Sequence, residues 1–184
     1  MREVDSELEK VIAGCLNNSR VSQRELYDRF ASKMFAVCKR YASSDTEAED
    51  MLMEGFMEVF KSISTFKKGS AFSTWIHSVM VNTAISHYRS VRRFRNELSE
   101  TDLEFEIEAS EDEKITTSLD AQLVLEVLQK MPDPQRTVFN MRVIDGYSFA
   151  EIAEELGKKE ETMRVTYLRA RKWLQAQLGE SQES

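Results

Sequence analysis

The chain has 184 residues, a length that suits one ordinary domain or two small ones. Hydrophobic residues make up 41% of the chain, enough to form a hydrophobic core, and charged residues make up 31%, which suits a solvent-exposed surface. No apolar run approaches the roughly 18 residues of a membrane helix. We therefore expect no membrane span. The N-terminal residues are too acidic for a signal or transit peptide, and we expect a cytoplasmic protein. Cys15 and Cys38 match no metal or redox spacing, and we expect both to be buried thiols.

The net charge of −7 by itself argues against a nucleic-acid partner. Its distribution reverses this argument, because the segment 97–114 holds nine acidic residues and one basic residue. Without that segment, the rest of the chain carries a charge of about +1. Four arginines stand just before the acidic segment, at Arg89, Arg92, Arg93 and Arg95. Such charge asymmetry favours a nucleic-acid-binding surface beside an acidic segment.

The first half of the chain predicts four helices that form one domain. The chain has only two prolines and six glycines, and apolar residues recur at helical spacing over 5–16, 22–41, 47–63 and 71–93. Ser22 with Glu25 and Thr46 with Glu49 match the capping-box pattern, so we expect these pairs at the starts of the second and third helices. Gly55 indicates either a weak third helix or the close approach of a neighbouring helix.

The composition then becomes acidic between residues 96 and 118. Leu103, Phe105 and Ile107 alternate with glutamates, a pattern typical of a strand. Because no partner strand is evident, we expect an extended, flexible linker instead. After it, the pattern predicts helices over 119–131 and from Pro134, a residue suited to a first helical position, to about Val143.

The stretch 148–174 predicts two helices joined by a tight turn. Ser148 and Glu151 form a capping box, and Gly157 suits the left-handed residue that ends the first helix. Ala153 allows the two helices to cross closely, as in a helix-turn-helix. The second helix carries an apolar side and basic residues elsewhere, namely Met163, Tyr167, Ala170 and Leu174 against Arg164, Arg169, Arg171 and Lys172. The stretch favours reading of the DNA major groove, with a tight helical hairpin as the alternative.

No arrangement of residues predicts an enzyme, a metal site or a cofactor site. His77 and His87 lack a third partner at the spacing of a metal site or a triad, and no glycine-rich phosphate loop occurs. For Trp75 we favour a place in the core. The loop from Phe66 to Ser70 carries two lysines before a helix with a polar face. This face can contact base edges and phosphates, and it consists of Asn82, Ser86, Arg89, Arg92 and Arg93.

Several segments of the chain form a recognisable set. They are AEDMLMEGFMEVFK at 48–61, FKKGSAFSTWIHSVMVNTAISHYR at 66–89, and MPDPQRTVF, DGYSFAEIAEELG and RARK within 131–172. In this order and spacing they resemble the bacterial extracytoplasmic-function (group four) RNA polymerase sigma factors. The resemblance implies an all-α fold of two small helical domains on an acidic linker. The expected parts are a region-two-like bundle at 1–95, the linker at 96–118, a region-four-like helix-turn-helix domain at 119–178 and a disordered tail at 179–184.

The resemblance also implies an alternative sigma factor, which binds core RNA polymerase and directs promoter recognition and DNA opening. Docking on the clamp helices of the largest subunit is expected of Glu49, Asp50, Met53, Glu54 and Met57. Contact with the −10 element, including a flipped base, is expected of Phe66, Lys67, Lys68, Ser70, Phe72, Asn82, Ser86, Arg89, Arg92 and Arg93. Contact with the −35 element is expected of Glu161, Thr162, Arg164, Val165, Thr166, Leu168, Arg169 and Lys172. The polymerase flap and an anti-sigma protein are further expected partners.

The sequence departs from the family pattern at three places. Ser86 stands where Asp is frequent, and Met53 stands where Gln is usual. The run 165–167 reads Val-Thr-Tyr where Ser-Arg-Leu is common, which removes one groove-facing cation and alters the expected −35 sequence. From the residues alone, two other functions remain open: a stand-alone helix-turn-helix regulator and a helical adaptor that scaffolds protein contacts.

Overall fold

A computed structural model of the chain describes residues 2–67, 71–95 and 121–180. Every regular element in these ranges is helical, which confirms the predicted all-α class. The chain divides into two compact units, Met1–His87 and Tyr88–Ser184. The expected linker at 96–118 and most of the tail lie outside the described residues.

Four helices begin the chain, and four follow the acidic segment. The first set is α1 (Arg2–Leu16), α2 (Arg20–Tyr41), α3 (Asp45–Ser62) and α4 (Phe72–Arg95), with a 3-10 turn at Ile63–Thr65. The second set is α5 (Ala121–Lys130), α6 (Asp133–Phe139), α7 (Phe149–Leu156) and α8 (Glu160–Glu180), with a π-helical turn at Asn140–Ile144 between α6 and α7.

The core of the first unit forms where α2, α3 and α4 turn their apolar sides inward. Leu26 of α2 and Ile76 and Met80 of α4 have none of their surface exposed. Gly55 of α3 lies directly against Met80, and a Cβ atom at position 55 would stand 2.2 Å from the Met80 sulfur. The glycine therefore marks a close helix approach, one of the two predicted alternatives, because only a hydrogen at this position leaves room for the methionine.

Two of the three predicted capping boxes are wrong, in each case by a few residues. The N-cap of α2 is Ser19, whose side chain accepts a hydrogen bond from the Ser22 backbone N–H. The Ser22 side chain instead packs so closely on Gly14 of α1 that a Cβ there would lie 2.0 Å from its hydroxyl. The Ser22 side chain is therefore used in a contact between α1 and α2 and does not cap the helix.

The N-cap of α3 is Ser44, not Thr46. Ser44 has extended backbone angles, and its hydroxyl accepts a hydrogen bond from the Glu47 N–H at 3.2 Å. The Glu47 carboxylate in turn accepts a hydrogen bond from the Ser43 N–H at 2.6 Å. Thr46 is already inside the helix, so its side chain is not in the position from which an N-cap reaches the free amides.

The core of the second unit is built around α8. Ala170 and Leu174 of α8 pack with Leu128 of α5, with Met131 of the turn after α5 and with Phe139 of α6. The rings of Tyr167 and Trp173 border this cluster. The apolar side predicted for the helix is thereby confirmed. Arg171 was predicted to lie away from this side, but the structure places it there, 9% exposed. It follows Tyr167 by one helical turn, and the long arginine stem can cover apolar surface.

Arg136 secures the turn between α5 and α6. It is 2% exposed, and its guanidinium donates to the carbonyls of Gln129 at 3.2 Å and Met131 at 2.9 Å. It also pairs with the Asp133 carboxylate at 2.5 Å. A buried charge is tolerated only when it is paired and hydrogen-bonded, and here it satisfies carbonyls at the end of α5 that have no helical partner.

The local signals of the helix-turn-helix are confirmed. Ser148 caps α7 through a reciprocal capping box with Glu151, and hydrogen bonds from the Ser148 side chain and backbone lower the pKa of the Glu151 carboxyl. Gly157 ends α7 with a φ of +62°. The N–H of Lys158 then donates to the Ala153 carbonyl at 2.9 Å, which closes the turn into α8.

Candidate DNA-binding and polymerase-docking surfaces

All eight residues predicted to contact the −35 element lie in the first two thirds of α8. Glu161, Arg164 and Lys172 are exposed, whereas the remaining five are half-buried: Thr162, Val165, Thr166, Leu168 and Arg169. The Thr166 hydroxyl donates to the Thr162 carbonyl one turn back at 2.8 Å, so it is engaged within the helix. The surface that α8 offers to solvent therefore mixes cations with small and apolar side chains.

Two guanidinium groups lie over one aromatic ring beside this surface. The Cζ atoms of Arg142, in the π-helical turn, and Arg164, in α8, each lie 4.8 Å from the centroid of the Phe149 ring. Arg164 also pairs with Glu160 at 2.5 Å, and Arg142 donates to the Tyr147 carbonyl at 3.1 Å. Sequence reasoning missed Arg142 and Phe149, because helical periodicity relates residues within one helix and these three residues belong to three elements.

The predicted base-capturing loop is described in part. Phe66 is half-buried, and its ring meets Phe72 edge-on at 5.0 Å and Trp75 at 5.7 Å between centroids. Phe72 is only 5% exposed and packs further inward on Phe30. Trp75 is half-buried, so the core position favoured for it holds only in part.

Cationic and polar residues continue from this loop along α4. Lys67 is exposed, whereas Lys68 and Ser70 lie outside the described residues. Asn82, Ser86 and Arg89 are all exposed and follow one another at about one helical turn, as predicted for a single face. Arg92 and Arg93 continue the α4 backbone, and their side chains lie outside the described part of the structure.

All five predicted docking residues are exposed on α3. Glu49, Asp50 and Glu54 supply negative charge, while Met53 and Met57 are 57% and 70% exposed. Exposed methionines with neighbouring carboxylates suit a protein partner, since a methionine side chain adapts to an apolar surface and charges orient the approach. We call this set the α3 docking face.

His87 of α4 holds one edge of the α3 docking face. Its Nδ1 lies 3.3 Å from the Glu54 carboxylate, and its Nε2 lies 3.6 Å from the Glu47 carboxylate. The Nδ1 atom is within hydrogen-bond distance of Glu54, and the Nε2 atom is near enough to Glu47 only for a charge interaction. His87, Glu47 and Glu54 do not form a metal site, and within residues 2–67, 71–95 and 121–180 no cluster of potential ligands is arranged to hold a metal ion.

In the same ranges, every helix is too short or too polar to cross a membrane.

Comparisons with known proteins assign both halves of the chain. The family model described as Sigma-70 region 2 matches residues 26–94, and the one described as Sigma-70, region 4 matches residues 121–174. The ECF RNA polymerase sigma-E factor of Haemophilus influenzae is 28% identical over 82% of this chain and 84% of its own length. The ECF RNA polymerase sigma factor SigW of Bacillus subtilis is 27% identical over 84% of this chain and 87% of its own.

Among solved structures, the sigma factor RpoE of Bartonella quintana, crystallised with the anti-sigma factor NepR, has a TM-score of 0.47 to this chain. The two chains are 21% identical over 97% of this chain and 98% of that one. The family assignment rests on the sequence comparisons. Both sigma-70 regions occur in the expected order and together span about two thirds of the chain, and relatives named as ECF sigma factors match it over most of their length. The chain belongs to the extracytoplasmic-function sigma factors of RNA polymerase.

Proposed function

We propose that the chain is an alternative sigma factor that binds core RNA polymerase and directs promoter recognition and DNA opening. One observation carries the proposal: the residues matched by the region 2 and region 4 models also present separate exposed polar surfaces. One surface is the α4 face with its preceding loop, and the other is formed by the first two thirds of α8. Two readers on one chain raise each other's effective concentration at a promoter that carries both elements.

The polar face of α4 is proposed to contact the −10 element. Asn82, Ser86 and Arg89 offer donors and acceptors for base edges and phosphates. Phe66 is proposed to stack on the flipped base, because its half-buried ring leaves part of its surface open. Phe72 is proposed to support the Phe66 ring from the core side, since the Phe72 side chain is itself buried. Four further residues of this proposed set lie beyond the described side chains: Lys68, Ser70, Arg92 and Arg93.

The second unit is proposed to bind the −35 element through α8. Its helix-turn-helix geometry, with a capped α7 and a turn closed at Gly157, suits placement of α8 in the major groove. The half-buried residues Val165 and Thr166 offer apolar contacts, which suit the methyl group of thymine. The same unit is proposed to contact the polymerase flap.

The polymerase is proposed to supply all catalysis, so the chain itself acts as a binding subunit in the cytoplasm and not as an enzyme. The α3 docking face is proposed to bind the clamp helices of the polymerase's largest subunit. An anti-sigma protein is a further proposed partner, because the solved RpoE chain that resembles this one was crystallised with such a protein.

The double substitution Met53→Glu with Met57→Glu tests the docking assignment. It replaces two exposed apolar side chains by charges, so we expect the affinity for core polymerase to fall about tenfold or more, or about 1.4 kcal/mol. Leu16→Glu with Val21→Glu is the matched control, because these two residues are also exposed and apolar but lie on α1 and α2. The measurement is the dissociation constant for labelled core polymerase. Equal losses in the two double variants would show that α3 has no special part in docking.

A further inference from the structure

Contacts with other aromatic rings hold the Phe149 ring in place, in addition to its contacts with the two arginines. Phe149 is the first residue of α7, directly after the capping box at Ser148. Its ring meets Tyr167 of α8 edge-on at 5.5 Å, and Tyr167 stacks in turn on Phe139 at 6.3 Å. Phe139 belongs to the core of the second unit. A chain of ring contacts therefore connects Phe149 to that core.

Arg164 is held from two sides by this arrangement. The Cζ atom of its guanidinium lies 4.8 Å from the centroid of the Phe149 ring, and its Nη2 atom pairs with Glu160 one turn earlier in α8. A guanidinium carries five N–H donors, so donors remain for another acceptor after the pair with Glu160. An exposed arginine normally loses much rotamer freedom on binding, and a side chain already held in place loses less.

We propose that Phe149 is a positioning residue that sets the Arg164 guanidinium for contact with the −35 element. The proposal rests on the proposed −35 role of α8 and adds the residue on which its exposed arginine depends. The ring attracts both guanidiniums through the negative charge of its faces, so Arg142 and Arg164 both lie against one side chain despite their like charge. Phe149 thereby places cationic donors beside α8, where Thr166 stands at the position at which the family commonly has an arginine.

A purely structural role for Phe149 makes a different prediction. If the ring serves only as core, its loss weakens DNA binding by the same factor whether or not Arg164 is present. If the ring acts through Arg164, its loss has little further effect once Arg164 is alanine. The two roles are therefore separated by a double-mutant cycle rather than by one substitution.

The experiment measures the affinity of the full chain, bound to core polymerase, for the strongest promoter fragment recovered by run-off selection. We expect Phe149→Leu to raise the dissociation constant about three- to fivefold and Phe149→Tyr, which keeps the ring, to leave it within about twofold. In the Arg164→Ala background, Phe149→Leu should change it by less than about twofold. Phe149→Met serves as a second ring-free variant, with thermal unfolding recorded for each protein.

The Phe149 variants test the positioning role, and the Arg164→Ala variant tests the −35 role of Arg164. Equal losses from Phe149→Leu in both backgrounds, or wild-type affinity in the Phe149→Leu protein, overturn the positioning role and leave the −35 assignment intact. Wild-type promoter affinity in the Arg164→Ala protein overturns the proposed −35 role of Arg164 itself, and the positioning role with it.

Discussion

Cys38 lies in the core of the first unit with 1% of its surface exposed, and burial raises the pKa of its thiol to about 12. Burial likewise raises the pKa of Cys15, which is 2% exposed. The thiolate is the reactive form of cysteine, so both side chains stay protonated and covered near neutral pH. This agrees with the buried thiols predicted from the sequence.

We expect both thiols to resist alkylation in the folded chain at pH 8 and to react fully in urea. Because the raised pKa keeps the thiolate fraction small below it, reaction in the folded state has to proceed through opening of the core. The measurement is the labelling rate of each cysteine, resolved by peptide mass. Labelling of Cys38 in the folded protein as fast as in urea would show that its surroundings are open.

The exposed polar face of α4 was predictable from helical spacing, whereas the buried position of Arg171 on α8 was not. The spacing of Asn82, Ser86 and Arg89 predicted one exposed polar face, and the structure has these residues exposed on α4. The contact between Phe149 and Arg164 was not predictable, because it joins two helices across a turn. Only the three-dimensional crossing of α7 and α8 brings the ring and the guanidinium to 4.8 Å.

The crossing of α3 and α4 depends on Gly55. Gly55→Ala places a methyl group 2.2 Å from the Met80 sulfur, and Met80 is fully buried, so its thioether would have to shift among packed neighbours. Overpacking of this kind costs about 1–3 kcal/mol, against a gain of about 1 kcal/mol in helix propensity. We therefore expect a net destabilisation of about 1 kcal/mol. Urea unfolding followed by Trp75 fluorescence, with Trp173→Phe as the background, measures it.

The sign of the effect should reverse when the methionine is truncated. In a Met80→Ala background the clash is gone, so Gly55→Ala keeps only its propensity gain and should stabilise the protein relative to Met80→Ala alone. If Gly55→Ala destabilises the chain equally in both backgrounds, the close approach of Met80 is not the reason for the glycine.

The starts of the helices could be predicted only in part from local sequence patterns. Three Ser/Thr-x-x-Glu matches predicted three helix starts, yet only the one at Ser148 caps its helix as expected. At the other two ends a neighbouring serine, Ser19 or Ser44, supplies the capping oxygen. Several serines near one helix start make the pattern ambiguous, and packing such as that of Ser22 on Gly14 then selects the start.

In the whole molecule, the residues proposed for polymerase docking and those proposed for −10 contact lie on different helices. The α3 docking face carries exposed methionines and carboxylates, while α4 carries Asn82 and Arg89. The order of the sigma-like segments predicted this division, since each segment covers its own helix. Bringing His87 of α4 to Glu54 of α3 required the packed structure, because 33 residues separate the two in the sequence.

If the two proposed roles belong to different helices, Asn82→Ala with Arg89→Ala should impair promoter opening without loss of core binding. Removal of two polar contacts to the −10 element is expected to lower open-complex formation about tenfold. Permanganate reactivity of unpaired thymines measures opening, and Lys33→Ala, at an exposed cation on α2, is the control. Loss of core binding by the double variant would instead assign these residues to docking or to folding.

We propose above that this chain makes core RNA polymerase specific for a promoter. This is tested by adding the full chain to purified core polymerase and sequencing the run-off transcripts from a promoter library. We expect transcripts that depend on the chain and start downstream of two shared sequence elements, one for each proposed DNA-contacting surface. A chain that shifts duplex DNA by itself but gives no transcript with core polymerase would contradict it and would favour a stand-alone helix-turn-helix regulator.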